Sequence, residues 1–300
     1  MEFNRYISPD GLIYDFDNQT DRFLISSSGF GLPPVQNFTQ NMPYLHGSKF
    51  LGYKLQPRSV KITHQSEAAE SGKAGYWALR ALILDTMRYN RGGNGTLRKI
   101  YDDGTIRDLA VYVSSGLTLD EGKPISAGCK WHIRDAVEFI AYDPIFFNPT
   151  NQAITFTPSV NTDLVFPITF PITFGEGTIT DSYELTYTGS WLTYPVMTIR
   201  GPIDGPIITN ETINESIALD YTVADGEEVV IDLSHGAKTV VNTSDVNLIG
   251  TVTPDSDLGT FRIDCDPAVP GGVNNFAVSG GGTNANTRIK IEYYIRYIGI

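Results

Sequence analysis

Apolar residues recur at every second position along most of this chain, and at every third or fourth position in one segment. Val60, Ile62 and His64 alternate with Lys61 and Thr63, and Val137, Phe139 and Ala141 alternate ahead of Asp143-Pro144. Residues two apart share one face of a strand, so each run predicts a half-buried β-strand. Thr96–Val113 reads as a hairpin folded at Asp103-Gly104, residue types that tolerate positive φ. Leu164, Phe166, Ile168, Phe170, Ile172 and Phe174 alternate without a break, with Pro167 and Pro171 on the opposite face. Proline cannot donate to a ladder, so this run predicts an edge strand or an extended connector.

Further strands are predicted at Ile217/Leu219/Tyr221/Val223, at Val229/Ile231/Leu233 beyond a turn at Asp225-Gly226, at Phe261/Ile263/Cys265, at Phe276/Val278 and at Ile289/Ile291/Tyr293/Ile295/Tyr297. The exception lies between Ser66 and Asn90, rich in good helix formers, where Tyr76, Leu79, Ile83 and Met87 form one helical stripe and Gly92-Gly93 supplies the stop. The chain therefore reads as mainly β: an N-terminal β-rich domain with one α-helix over 1–147, and an antiparallel β-sandwich over 148–300. The boundary is placed at Phe147-Asn148-Pro149.

Charge sharpens that division. The chain of 300 residues carries a net charge of −12. Its first half holds 16 basic and 16 acidic residues, its second half 6 and 18. The excess acid argues against a nucleic-acid binder, which needs a basic surface. Apolar runs are short and interrupted, as at Ala78–Leu84 with Arg80 in its middle, so no membrane-spanning segment is expected. The opening Met1–Tyr6 has no basic and apolar leader pattern, and Cys129 and Cys265 are expected as two buried thiols made in a reducing cytoplasm.

Candidate chemistry is sparse. His46, His64, His132 and His235 are scattered, and none pairs with another His or Cys at metal-ligand spacing. Asp255-Ser256-Asp257 and Asp264-Cys265-Asp266 lack the rest of a calcium loop and read as turn and strand-edge acids. Gly280-Gly281-Gly282 and Gly92-Gly93-Asn94-Gly95 lack the Lys-Ser/Thr of a phosphate loop; the former reads as a flexible loop. No serine elbow, protease-like cysteine or distinct carboxylate pair stands out. The expectation is a non-enzyme with no catalytic, cofactor-binding or metal-binding residues and no cofactor. Trp191, Tyr187 and Tyr194 cluster near Gly189-Ser190 and are the candidates for stacking on a sugar; the simpler reading of the three is a structural corner.

Several runs together resemble the distal tail proteins of long-tailed siphophages. They are Gly29-Phe30-Gly31-Leu32-Pro33-Pro34, His46-Gly47, Leu55–Ile62, Met87–Arg91 and Glu138–Pro149 in the first half, then Phe166–Gly175, Tyr194–Pro202, Pro206–Asn210 and Gly226–Asp232. The resemblance implies a virion structural protein, present in the host cytoplasm during assembly. An N-terminal belt domain would form a homo-hexameric ring at the distal tail tip, joining the tail tube protein to baseplate or receptor-binding proteins. A galectin-like C-terminal sandwich would project outward. Galectin-like describes a fold, and sugar binding does not follow from it. The alternative is a carbohydrate-binding module in which the sandwich contacts host cell-wall polysaccharide.

Overall fold

The computed structural model describes residues 3–44, 46–68, 73–88, 92–122, 132–158, 177–265 and 272–300. By their contacts they form two compact units, Met1–Pro149 with Tyr297–Ile300, and Thr150–Arg296. The division thus falls just beyond the predicted Phe147, and the last four residues belong to the first unit although the sequence places them in the second.

The first unit contains β1 (Phe3–Ile7), β2 (Ile13–Asp15), β3 (Arg22–Ser28), β4 (Val35–Asn41), β5 (Ser48–Leu55), β6 (Arg58–Glu67), α1 (Lys73–Met87), β7 (Gly95–Ile100), β8 (Ile106–Gly116), β9 (Asp120–Gly122), β10 (His132–Ala141) and β11 (Phe146–Phe147). Among the described residues its main sheet runs β2-β1-β7-β8-β10-β6-β3, with β9 beside β10 and β11 beside β8. The alternation read in the sequence is the reason. In β6 the side chains of Val60, Ile62 and His64 are buried while Ser59 and Lys61 face outward, and in β10 Ile133, Val137 and Phe139 are buried. The predicted turn is present between β7 and β8, where Gly104 has φ +83° and the Thr105 amide donates to the Asp103 carboxylate at 2.8 Å.

Tyr76, Leu79, Ile83 and Met87 bring α1 onto this sheet and join its core. Burying each such side chain contributes roughly 1.5–3 kcal/mol, which is why the helical period survives in a chain otherwise patterned for strands. The helix is shorter than predicted. Ser66 and Glu67 are the last residues of β6, and the Ser66 hydroxyl lies 2.6 Å from that of Tyr14 inside the core. Tertiary burial of Ser66 overrides its local preference; 69–72 and Tyr89-Asn90 lie outside the described residues.

The second unit contains β12 (Gln152–Phe156), β13 (Gly177–Thr186), β14 (Val196–Arg200), β15 (Ile203–Asn210), β16 (Glu215–Ala218), β17 (Thr222–Val223), β18 (Glu228–Asp232), β19 (Thr239–Asn242), β20 (Val273–Thr283) and β21 (Arg288–Tyr293). Two antiparallel sheets, β12-β21-β14-β18-β19 and β13-β20-β15-β16 with β17 on β15, enclose one apolar core. The turn at Asp225-Gly226 carries the chain from β17 in one sheet to β18 in the other.

Two sequence expectations fail here for identifiable reasons. Phe261 and Ile263 are fully buried, yet 261–265 makes only an isolated bridge, Thr193 with Ile263. Buried amide side chains take the place of a neighbouring strand: Asn274 accepts from the Asp264 amide at 3.0 Å and donates to the Asp264 carbonyl at 2.9 Å, while Asn210 donates to the Arg262 carbonyl at 3.0 Å. Gly280-Gly281-Gly282 is not a loop but part of β20. A Cβ on Gly280 would sit 2.5 Å from the Ile203 side chain, so a bare backbone is what lets Ile203 reach the core. The predicted connector at 164–174, Cys129 and Asp266 lie outside the described residues.

Candidate functional site

Among the described residues β4 and β5 pair with each other and with no further strand. They form an arm, with Val35 opposite Leu55, Asn37 opposite Tyr53 and a bulge between Phe38 and Thr39. Every β4 side chain is exposed, and Val35, Phe38, Phe50, Leu51 and Tyr53 are exposed by 45–59%. Directly opposed residues share a face, so Val35 and Tyr53 lie on one side of the ribbon and Phe38 on the other. A two-stranded ribbon is marginal in water by itself, and this one exposes apolar side chains on both of its faces. From Phe23 to Ser66 the chain contains no Asp or Glu, while the arm carries Lys49 and Lys54. Sequence reasoning did not single out this segment. The available signal is that acid-free stretch, inside which Pro33-Pro34 and Pro57 bracket the arm.

The root of the arm is closely held, in contrast to its exposed strands. Arg58, the first residue of β6, is 1% exposed. Its guanidinium donates to the carbonyl oxygens of Pro144 (2.9 Å), Gly29 (2.9 Å), Gly31 (2.6 Å) and Ile298 (2.6 Å). The Phe146 ring lies under the cation at 4.5 Å. The opposite root strand is tied by the Gln56 amide, which donates to the Pro34 carbonyl at 2.8 Å.

Among the described residues a second uncovered surface flanks α1. A groove of about 690 Å³ lies between the helix and β8, lined in part by Leu84, Met87, Val113 and Leu117. Trp77, Leu82 and Leu84 on the helix are exposed large apolar residues. The helix is therefore apolar beyond the stripe that packs on the sheet.

The three sugar-stacking candidates sit in different settings: Tyr187 is buried, whereas Trp191 and Tyr194 are half-buried. Tyr187 is buried in the core of the second unit; its hydroxyl donates to the Trp191 carbonyl at 2.7 Å and accepts from the Arg296 amide at 2.8 Å. The Trp191 amide donates to the Arg296 carbonyl at 3.2 Å. Gly189 lies against the Tyr187 ring, where a Cβ would sit at 2.5 Å. Tyr194 packs partly into the core with the Lys238 ammonium 4.2 Å from its ring centre. The geometry is that of a corner in which Tyr187 holds two backbone segments together.

The predicted histidines stay apart. His64 lies in the core of the first unit, His132 is half-buried, and His46 and His235 are exposed. Among the described residues no group of three His, Cys, Asp or Glu is arranged to hold a metal ion. The Asp257 carboxylate accepts from the Ser216 amide at 2.9 Å, and the Ser256 hydroxyl accepts from the Ala218 amide at 2.9 Å, so that acidic turn staples β16. Among the described residues no helix is long and apolar enough to cross a membrane.

No protein-family model matches the chain, and no curated protein matches it in sequence. Its fold has solved counterparts. The SPP1 Dit (gp 19.1) protein, described as a paradigm of the hub adsorption apparatus in phages infecting Gram-positive bacteria, superposes with a TM-score of 0.64 at 11% identity, over 99% of each chain. A chain of the phage P2 baseplate in its activated conformation with Ca gives 0.49 at 10% identity, and one with Sr gives 0.46 at 11%, each over 97% of this chain and 98% of the other. Over its full length, this chain shares the fold of a phage Dit hub protein, the kind of protein that its sequence motifs resemble.

Proposed function

We propose that this chain is a structural protein of a bacteriophage or prophage tail, a homo-hexameric ring at the distal tip. The ring joins the tail tube to the baseplate or receptor-binding proteins. It works by shape and assembly, and no catalytic step is part of the reading. The fold likeness to a hub protein supports the setting, but a fold hosts many functions and does not by itself assign one.

The observation that carries the reading is the β4–β5 arm. It exposes apolar side chains on both faces and pairs with no further strand among the described residues. In a ring each copy presents one surface to the neighbour ahead and a different one to the neighbour behind. An arm reaching to the next copy, with another surface of the unit receiving the preceding arm, meets that requirement. The charge division fits the same picture. A first half of zero net charge packs against copies of itself without net repulsion, and a strongly acidic second half resists non-specific clumping outside the ring.

The test is light scattering and negative-stain microscopy of the purified protein, alone and mixed with tail-tube protein. Six-membered rings are the expected result. A strict monomer at high concentration, with no ring on mixing, overturns the reading. Labelled antibody on the assembled particle then reads the location, expected as a band at the tail tip.

A further inference from the structure

We propose that Arg58 is a positioning residue for assembly: its guanidinium locks the root of the β4–β5 arm to the strap Tyr297–Ile300, and so fixes the direction in which the arm leaves the first unit. This rests on the reading of the arm as a contact between copies.

Arg58 is an unusual choice for a buried position. Among the described residues its hydrogen bonds go to carbonyl oxygens alone, and no carboxylate neutralises it. Burial pulls its pKa down to about 10, so it remains charged at neutral pH. Burying an unpaired cation is costly, and an apolar side chain would fill the same space without that cost. What an apolar side chain cannot do is dictate directions. The guanidinium is a rigid planar fork, so carbonyls bound to it must keep fixed mutual positions. Here they come from three separate stretches: the arm root (Gly29, Gly31), the bend before β11 (Pro144) and the strap (Ile298).

The surroundings leave little slack. Gly29 has φ +95°, and a Cβ there would lie 2.1 Å from the Ser59 carbonyl oxygen. Phe30 stacks on Phe146 with ring centres 6.1 Å apart, while the Ile300 amide donates to the Phe30 carbonyl at 3.0 Å. The Arg107 guanidinium covers the Tyr297 ring at 3.8 Å. A Cβ on Gly299 would come within 2.9 Å of the Gly31 carbonyl oxygen. The strap and the arm root are thus pressed together, with Arg58 at the junction. A two-stranded arm on a loose root would have to be ordered each time it docked; one whose root is already held has lost that freedom before it meets a neighbour.

The test compares the full chain with Arg58→Lys, which keeps the charge and loses the fork, and with Gly299→Val, which displaces the strap without touching Arg58. Two quantities are read: amide hydrogen exchange, and the protein concentration at which assembly is half-complete by sedimentation. For both variants we expect exchange at Gln56 and Ile300 to rise by about tenfold while Val137 in β10 is unchanged, and assembly to need about tenfold more protein. Uniform acceleration across the first unit makes Arg58 merely structural and overturns the proposal. So does local loosening with assembly unchanged. If the unsubstituted chain forms no ring at all, the ring reading fails, and the exchange pattern alone then decides whether the lock exists.

Discussion

Arg98 of β7 and Asp108 of β8 stand opposite each other across the hairpin, and the guanidinium donates two hydrogen bonds of 2.8 Å to the carboxylate. Asp108 is buried and Arg98 is about one-quarter exposed. The carboxylate holds the Arg98 pKa above its ordinary value, through that hydrogen bond first. Asp108→Asn retains the shape and removes the charge. We expect it to destabilise the first unit by about 2 kcal/mol, read as a lower unfolding midpoint in urea. Adding Arg98→Met should recover part of the loss, because no cation is then left without its partner.

His64 makes the first unit sensitive to mild acid. Its ring sits edge-on to those of Tyr14 and Phe16, with centres 5.6 and 5.2 Å away, and both of its nitrogens are buried without a hydrogen-bond partner among the described residues. Burial pulls its pKa from 6.5 down to about 4; Asp135 acts in the opposite direction and Arg22 adds slightly to the fall. Between those values the unfolded chain binds the proton and the folded one does not. Stability is therefore complete above pH 6.5, falls as the pH drops towards 4, and loses no more from this residue below that. The gap corresponds to about 3 kcal/mol. His64→Phe should remove this part of the pH dependence; urea midpoints of both proteins from pH 7 to 4 would show it.

The helical stripe predicts a unit-specific failure. Ile83 is fully buried among Tyr76, Leu79 and Met87. Ile83→Asp places a carboxylate in that core at a cost of several kcal/mol. Limited proteolysis should then degrade 1–149 while 150–296 persists. Unchanged melting would mean that the stripe does not face the core.

The corner residue Tyr187 separates structure from sugar recognition. Tyr187→Phe removes both hydrogen bonds of the hydroxyl and should lower the stability of the second unit by about 1–3 kcal/mol, visible in thermal melting. Trp191→Ala on a glycan array is expected to change nothing. Binding that is present in the original chain and vanishes in this variant would restore the cell-wall polysaccharide reading.

The arm gives the opposite pattern. Phe38→Ser, Phe50→Ser and Tyr53→Ser replace side chains that already face water. The triple variant should melt within about 0.5 kcal/mol per site of the original chain, yet fail to form rings by light scattering. Rings of normal abundance would show that the arm is not an assembly contact.

The local rules of the chain were legible from the outset. Alternation identified β6, β10 and β21, and a period of three to four located α1, because in each case one face is buried and the other is not. The turn at Asp103-Gly104 needed only its own backbone preference. The misread segments depended on distant partners. Phe261–Cys265 has a strand's pattern, but Asn274 and Asn210 occupy the hydrogen-bonding positions that a neighbouring strand would fill. The triple glycine has a loop's composition, yet it runs as strand because Ile203 lies against Gly280. In the arm, Val35–Leu55 looks locally like any strand pair. That no further strand pairs with it among the described residues is a property of the rest of the fold.

Sequence by itself determined the β-rich class, the single helical stripe, the neutral and acidic halves and the resemblance to phage tail proteins. All of these are written in near neighbours or in composition. Tertiary structure alone decided that Arg58 gathers carbonyls from residues as far along the chain as Ile298, that Tyr297–Ile300 return to the first unit, and that β4 and β5 pair with no further strand among the described residues. The reason is physical. Periodicity records which face of an element is buried, whereas which segments meet, and which are left without a partner, depends on how the whole chain closes around its cores.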